Sequence, residues 1–354
     1  MNVFSKKITG WYQLHKRELP WRNTSDPYRI WLSEIILQQT RVNQGLDYYI
    51  KFTKEFPAIQ KLASAREERV LRLWQGLGYY SRARNLHHTA KEICRKYKGH
   101  FPDSYENLIA FKGIGEYTAA AILSIAFNKP YPVVDGNVFR VLARVFGMST
   151  PIDSLEGKKQ FNVVAVELLD RNNPGTYNQA LMEFGAMYCK PVNPDCRNCC
   201  LNHMCKAYQD DTVNHLPVKS KTIRPKKRYF NYLVSYQKGK VVIRKRTAND
   251  IWKNLYDFPL IETKKQLSEK KLLSSMEWKA MTGEGPCVIR YVSEEYRHVL
   301  THQVLVARFW EVGLTNPPKA FFRETITVPP RKLEKHAVPR LIEKYLEKRK
   351  TFFS

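Results

Sequence analysis

Four cysteines lie in one short segment just after the middle of the 354-residue chain, with six, two and five residues between them: Cys189, Cys196, Cys199 and Cys205. Four thiolates this close together can bind one soft metal centre, which would fold the segment into a compact loop around it. Disulfides are the simpler interpretation. They suit small secreted domains, however, and an odd total of seven cysteines fits pairing poorly.

Two kinds of metal centre fit four thiolates. Structural zinc sites favour two Cys-x-x-Cys pairs or a mixture of cysteine and histidine, and here only Cys196 and Cys199 form such a pair. Four cysteines also match the ligation of an iron–sulfur cluster, although the spacing differs from that of ferredoxins. The spacing therefore favours an iron–sulfur cluster and leaves zinc as the alternative.

The overall charge indicates the partner. The 59 lysines and arginines outnumber the 33 aspartates and glutamates, which gives a formal net charge of +26. Such a charge attracts polyanions, and nucleic acid is the first candidate. A membrane surface is the alternative, but the sequence has no run of eighteen apolar residues that could span a bilayer. We therefore expect a nucleic-acid partner and no membrane.

The chain divides into two predicted domains. Residues 1–212 show amphipathic stretches separated by proline and glycine, which predicts a mainly helical domain. Residues 213–228 contain prolines and a basic run and are interpreted as a linker. Residues 229–354 begin with runs typical of a β-hairpin and are predicted to form a smaller α+β domain. Its helices are predicted over residues 266–276 and 332–349.

A glycine pair lies between two predicted helices. Gly113 and Gly115 allow the backbone to come close to a ligand, and the helix that follows presents its N-terminus to an anion. Many tight helix turns contain the same pattern, so a plain turn stays possible. Together with the net charge, the pair favours a helix-hairpin-helix that grips the phosphates of one DNA strand without reading bases.

Two carboxylates stand in unusual surroundings. The neighbours of Glu34 on a predicted helix are apolar: Ile30, Trp31 and Leu37. Burial there would raise its pKa and make it a proton donor, whereas a plain helix-edge glutamate is the alternative. Asp135 precedes another predicted helix, whose N-terminus would keep it ionised; a simple N-cap is the alternative. One protonated and one ionised carboxyl are what the cleavage of a glycosidic bond requires.

These motifs together resemble the endonuclease III superfamily of DNA glycosylases, and within it the adenine glycosylases of the MutY type. The similarity is specific over residues 1–210 and looser over residues 229–350. Besides the cysteines, the glycine pair and residues 134–138, it rests on three segments: residues 19–22, 31–40 and 76–86. The resemblance implies a mainly helical glycosylase domain with an iron–sulfur loop and a smaller Nudix-like domain.

One position separates the subfamilies. Bifunctional members carry a lysine where this chain has Tyr117, and that lysine forms a Schiff base with the sugar before the strand is cut. Tyr117 cannot do so, which favours a monofunctional hydrolase. Two alternatives remain open: a bifunctional endonuclease III-like glycosylase and AP lyase, and a non-catalytic protein that binds DNA damage.

The resemblance also implies a substrate, namely adenine opposite 8-oxoguanine or guanine in double-stranded DNA, flipped out of the helix. Glu34 would protonate the base, Asp135 would stabilise the sugar cation, and Tyr117 and Asn137 would position them. The implied DNA contacts are Arg22, Leu37, Gln39, Thr40, Tyr79, Gly113, Gly115, Thr301 and His302. The implied ligands of a [4Fe–4S] cluster are Cys189, Cys196, Cys199 and Cys205.

The second domain resembles the Nudix-like module that faces 8-oxoguanine. It lacks a Nudix hydrolase box, so we expect no pyrophosphatase activity. Where the family often carries Phe-Ser-His, this chain has Leu300, Thr301 and His302, and we expect this departure to change the strength of recognition. Residues 1–7 show no secretory signal, and we expect a monomeric, cytoplasmic bacterial protein that works on DNA.

Overall fold

The computed structural model describes residues 2–220 and 225–349. The chain forms two compact units, each built from two separate stretches of sequence. We call Met1–Ser64 with Asn85–Thr222 the helical unit, and Ala65–Arg84 with Ile223–Ser354 the sheet unit. Among the described residues, no helix is both long enough and apolar enough to cross a membrane.

Helices dominate the first part of the chain and recur as short segments in the second. In chain order the α-helices are α1 (Val3–His15), α2 (Pro27–Leu37), α3 (Val42–Glu55), α4 (Ile59–Ser64), α5 (Glu67–Leu73), α6 (Ser81–Tyr97), α7 (Tyr105–Ile109), α8 (Glu116–Phe127), α9 (Gly136–Phe146), α10 (Leu155–Leu168), α11 (Pro174–Met187), α12 (Lys206–Gln209), α13 (Glu269–Leu273), α14 (Met276–Thr282) and α15 (Arg340–Lys348). Short 3₁₀ turns add Pro20–Arg22, Asn202–Met204, Lys319–Phe322 and Pro330–Lys335.

The core of the helical unit forms around α11, which packs against α1, α8 and α9. Its Tyr177, Leu181 and Phe184 are each at most 1% exposed. Amphipathic periodicity did not predict this helix, which begins at a proline, Pro174. Proline is nevertheless favoured in the first turn of a helix, where its missing N–H has no intrahelical partner.

Among the described residues of the sheet unit, eight strands form one mixed sheet. They are β1 (Lys226–Gln237), β2 (Lys240–Lys245), β3 (Tyr256–Asp257), β4 (Leu260–Thr263), β5 (Cys287–Val292), β6 (Tyr296–Val299), β7 (Gln303–Leu314) and β8 (Thr325–Val328). The main order is β3-β2-β1-β7-β5, while β4 pairs with β1, β6 with β7 and β8 with β2. The β1–β7 pair is parallel and the other pairs are antiparallel.

Two predicted helices of the sheet unit were wrong in extent. Residues 332–349 do not form one helix: a 3₁₀ turn covers Pro330–Lys335, and α15 starts only after Pro339. Proline has no N–H to donate, so it begins helices rather than continuing them. Residues 266–276 form parts of two short helices, and the second starts where the side chain of Ser275 accepts from the Trp278 N–H.

The predicted linker, residues 213–228, is shorter in the structure. The Ile152 N–H donates to the carbonyl of Val218 at 3.0 Å and Leu216 is buried, so residues 213–220 pack onto the helical unit. Strand β1 already begins at Lys226, whose N–H donates to the His302 carbonyl. Residues 221–224 of the predicted linker lie outside the described part of the chain.

The sheet unit also includes Ala65–Arg84, which the sequence analysis had placed in the helical domain. Hydrogen bonds within the sheet unit account for this. The Tyr80 hydroxyl donates to the Val338 carbonyl at 3.2 Å, and the Gln75 side chain donates to Glu343 at 3.1 Å. The partners are more than 250 residues apart in sequence, and a boundary drawn along the chain does not detect such contacts.

Candidate active site

The helical unit contains a cavity of about 490 Å³. The end of α2, the starts of α8 and α9 and one face of α11 supply its walls. Eight of the predicted site residues line it: Arg22, Glu34, Leu37, Gln39, Thr40, Tyr117, Asp135 and Asn137. All four predicted catalytic residues therefore share one cavity.

Glu34 lies on α2 and is only 8% exposed. The Tyr117 hydroxyl donates a hydrogen bond of 2.6 Å to its Oε2 atom. Burial is the largest influence on Glu34; together with the nearby charge of Asp135, and against the opposing hydrogen bond from Tyr117, it raises the pKa to about 7. At neutral pH a substantial fraction of Glu34 therefore carries a proton, as a general acid requires.

Asp135 is the N-cap of α9. Its carboxylate accepts from the N–H groups of Asn137 and Val138 at 2.9 and 2.8 Å and from the Asn137 side chain at 2.7 Å. We expected the helix N-terminus to keep this group ionised. These three hydrogen bonds do lower its pKa, but burial is the larger effect and leaves the pKa raised.

Tyr117 lies in the first turn of α8, just after the glycine pair, so the predicted hairpin connects α7 to this wall of the cavity. Gly113 has a φ of +88°, and a Cβ atom added there would lie 2.8 Å from the Asn85 Cβ. Gly115 caps α8 with ordinary extended backbone and open space around it. The hairpin exists as predicted, while its contact with DNA stays a prediction.

A buried glutamate that the sequence analysis missed holds Arg22 in place. Glu183 on α11 is 1% exposed and accepts from Arg22 at 2.5 and 2.9 Å and from the Arg17 Nε at 2.8 Å. Burial would raise the pKa of Glu183, but these hydrogen bonds outweigh burial and lower the pKa to about 2. The sequence signal was weak because α11 itself was not predicted.

The cysteine loop folds as one structure. Cys189, Cys196, Cys199 and Cys205 line one cavity, and all seven cysteines are unpaired in the structure. Arg144 donates to the carbonyls of Lys190, Pro191 and Leu216, at 2.7 to 3.1 Å. Among the described residues, no three side chains of the metal-binding types are grouped closely enough to hold a single metal ion.

Arg140 connects this loop to two of the predicted catalytic residues, Asn137 and Asp135. It donates to the Cys189 carbonyl at 2.8 Å, to the Gly185 carbonyl at 2.7 Å and to the Asn137 side-chain oxygen at 2.9 Å. Asn137 in turn donates to Asp135. The position of Asp135 thus depends on the backbone of the cysteine loop.

Two of the remaining predicted residues meet in the sheet unit, at a groove of about 550 Å³. The hydroxyls of Tyr79 and Thr301 lie 2.5 Å apart, and both residues line this groove together with Trp252 and His298. Tyr79 has a φ of +46° and its side chain is 43% exposed. His302, predicted with Thr301, is exposed and does not line the groove.

Comparisons with known proteins identify both parts of the chain. Residues 32–164 match the family described as HhH-GPD superfamily base excision DNA repair protein, and residues 231–348 match a NUDIX domain. These matches confirm the predicted fold class, a helical glycosylase part followed by a sheet-containing Nudix-like domain.

Curated relatives named adenine DNA glycosylase cover most of the chain. One from Buchnera aphidicola subsp. Acyrthosiphon pisum is 38% identical, with 76% of this chain and 79% of the relative aligned. One from Mus musculus is 32% identical, covering 90% and 72%. A solved thermostable thymine-DNA glycosylase is 29% identical with a TM-score of 0.55, covering 59% of this chain and 96% of that one.

Proposed function

This chain belongs to the adenine DNA glycosylases of base excision repair, and we propose that its substrate is adenine mispaired with 8-oxoguanine or guanine in double-stranded DNA. We further propose that it acts as a monomer. The observation that carries the proposed chemistry is a pair of carboxyls, the buried Glu34 and the half-buried Asp135, in one cavity of the size that small ligands occupy. A protonatable acid and a second carboxylate suit the hydrolysis of an N-glycosidic bond.

The steps follow from the positions of these groups. The adenine leaves the base stack and enters the cavity, because its glycosidic bond cannot be reached within the duplex. Glu34 gives its proton to N7 of the base, and the electron pair of the C1′–N9 bond leaves with the base. Asp135 stabilises the sugar cation. A water molecule then adds to C1′, and the Glu34 carboxylate takes up its proton.

The side chain at position 117 supports hydrolysis without strand cleavage. Tyr117 donates its hydroxyl hydrogen to Glu34 and offers no amine to the sugar. A Schiff base, which lyase chemistry requires, cannot form there. The product is therefore an intact strand with an abasic site.

We assign the opposite base to the sheet-unit groove. Tyr79 and Thr301 place two hydroxyls at its edge, and Trp252 and His298 provide aromatic surface, with ring centroids 6.0 Å apart. Stacking surface beside hydrogen-bonding groups is typical of sites that receive a single base. The carbonyl at C8 and the N7–H distinguish 8-oxoguanine from guanine in such a site.

The test is release of free adenine from three labelled duplexes, in which adenine faces 8-oxoguanine, guanine or thymine. We expect release from the first two, faster opposite 8-oxoguanine, and strand breaks only after alkali treatment. Glu34→Gln should abolish release while leaving duplex binding intact. Prompt scission without alkali would indicate the lyase alternative, and a wild-type protein that binds without releasing adenine would indicate a binding protein.

We propose that the four cysteines hold a [4Fe–4S] cluster rather than zinc. Zinc keeps all four sulfurs about 2.3 Å from one atom, whereas each thiolate of such a cluster binds a different iron. The proposal is supported by the one cavity that all four cysteines line and by their spacing, in which only Cys196 and Cys199 form the Cys-x-x-Cys pair that zinc sites favour. When bound, the cluster would cross-link the loop and hold its basic residues against phosphates.

The metal content of the purified protein tests this proposal. We expect a brown protein with about four irons per chain. Cys196→Ser should lower the iron content, and Cys200→Ser is the matched control, because Cys200 does not line the cavity. A colourless protein that contains zinc would refute the assignment, as would an equal loss of iron in both variants.

A further inference from the structure

Two irregular segments form walls of the sheet-unit groove: the turn of residues 250–254, which carries Trp252, and the loop of residues 300–302 between β6 and β7. Neither segment has a strand or helix to fix it. Backbone hydrogen bonds hold their ends, such as those from the Asn254 N–H to the Arg246 carbonyl and from the Lys226 N–H to the His302 carbonyl. Side-chain contacts with the sheet add to these bonds.

Arg228 on β1 contacts the turn directly and reaches the loop through Gln303, the first residue of β7. Its guanidinium donates to both carboxylate oxygens of Asp250, at 2.9 and 2.8 Å, and to the Gln303 side-chain oxygen at 3.0 Å. It also donates to Glu262, at 2.7 and 2.8 Å. One rigid, planar cation thus links the start of the turn to the residue that follows the loop.

Asp250 links Arg228 to Trp252, the aromatic residue of the turn. Its carboxylate also accepts from the Ile251 N–H at 2.7 Å and from Arg246 at 2.8 Å. The Arg246 guanidinium lies 5.8 Å from the centre of the Trp252 ring, within cation–π range. The Asp250 carboxylate that binds Arg228 therefore also binds the guanidinium that packs against Trp252.

Gln303 links Arg228 to the loop of residues 300–302. Its carbonyl accepts from the Leu300 N–H at 2.7 Å, which closes the loop that carries Thr301. Its side chain accepts from Arg228. A shift of Gln303 would therefore move Thr301 relative to Tyr79 and Trp252.

We propose that Arg228 is a positioning residue that couples the Trp252 turn to the Thr301 loop and thereby sets the preference for 8-oxoguanine over guanine opposite the adenine. The proposal rests on the function that we assign to this groove. It adds Arg228, Asp250 and Gln303 as residues that touch no base but determine where the base-contacting groups stand.

The first test removes only the link to the loop. Gln303→Met keeps the length of the side chain but loses the acceptor. Because a hydrogen bond to a charged group is involved, we expect the ratio of single-turnover rates, 8-oxoguanine over guanine, to fall roughly tenfold. The rate opposite guanine should stay within about twofold, since the catalytic residues are unchanged. A purely structural defect would instead lower both rates together.

Two matched variants sharpen this test. Gln303→Glu restores an acceptor for Arg228 and should keep the wild-type ratio. Glu262→Gln weakens another bond of the same guanidinium, on a strand that does not line the groove, and should also leave the ratio unchanged. An unchanged ratio in Gln303→Met, or an equal loss in Glu262→Gln, would overturn the proposal.

Hydrogen exchange tests whether Arg228 couples the two segments, independently of the function that we assign to the groove. In the DNA-free protein, Gln303→Met should speed amide exchange in both residues 250–254 and residues 300–303, as should Arg228→Met, with no further increase in the double variant. If the wild-type protein shows no preference for 8-oxoguanine, the assigned function of the groove is wrong. The coupling itself is overturned if exchange speeds up in only one of the two segments.

Discussion

Three influences set the pKa of Glu34: burial and the charge of Asp135 raise it, and the hydrogen bond from Tyr117 lowers it. Tyr117→Phe removes the only one of these that favours the ionised form. The pKa should therefore rise above about 7, and Glu34 should remain protonated to higher pH. Single-turnover adenine release, measured against pH, should show its alkaline decline shifted upward.

The maximal rate should fall in the same variant, because Tyr117 also orients the carboxyl. Tyr49→Phe serves as the control, since Tyr49 is buried outside the cavity and its hydroxyl has no hydrogen-bond partner among the described residues. An alkaline decline that moved downward would show that Tyr117 does not stabilise the carboxylate.

For single residues, the sequence predicted the burial of Glu34 but neither the pKa shift of Asp135 nor the role of Glu183. The apolar neighbours of Glu34 on a helix predicted its burial, because helix periodicity places them on one face. The state of Asp135 was not predictable, since it results from burial opposing three hydrogen bonds. Glu183 was missed because its role requires two arginines more than 160 residues away in sequence.

Among the elements, the hairpin between α7 and α8 depends on two glycines for different reasons. Gly113 needs its left-handed φ and has no room for a Cβ atom beside Asn85, whereas Gly115 has an ordinary φ and open space. Gly113→Ala should therefore reduce the free energy of unfolding by about 1–2 kcal/mol or more. Chemical denaturation of the full chain measures this loss.

Gly115→Ala is the matched comparison. Its stability should stay within about 0.5 kcal/mol of the wild-type value, as for most substitutions that disturb no packed contact. Its affinity for undamaged duplex should nevertheless fall, because the new methyl group lies where a phosphate would approach the N-terminus of α8. Unchanged affinity would place the DNA backbone elsewhere.

The helical character of residues 1–212 was predicted from its amphipathic stretches, but α11 and the short elements were not. Strands β3, β4, β6 and β8 have two to four residues each, too few for an alternating pattern to stand out. The sheet that contains them is held by pairing between distant segments, such as the parallel register of β1 with β7. Local patterns do not encode that register.

In the whole molecule, each compact unit is built from two stretches that are not consecutive in the sequence. The helical and α+β compositions were read correctly from periodicity, but Ala65–Arg84 joined the sheet unit through tertiary hydrogen bonds. Tyr79, which the family resemblance grouped with the helical domain, consequently bonds to Thr301. Motif positions alone would not have brought these two residues together.

The net charge of +26 predicts that the affinity of the protein for DNA depends strongly on salt concentration. Contacts to phosphates release counterions, so the logarithm of the affinity for undamaged duplex should fall linearly with the logarithm of the salt concentration. If about six phosphates are neutralised, the loss should be about a thousandfold between about 50 and 200 mM salt. Fluorescence anisotropy with a labelled duplex measures the slope.

The preference for 8-oxoguanine should respond differently to salt. It depends on uncharged groups of the base that both duplexes present on the same phosphate backbone, so the electrostatic contribution cancels in the ratio. We therefore expect the ratio of adenine release rates to stay within about twofold over a salt range in which affinity changes by about a thousandfold. A ratio that fell in parallel with affinity would show instead that the preference arises from backbone contacts, and the groove at Thr301 would lose its assigned role.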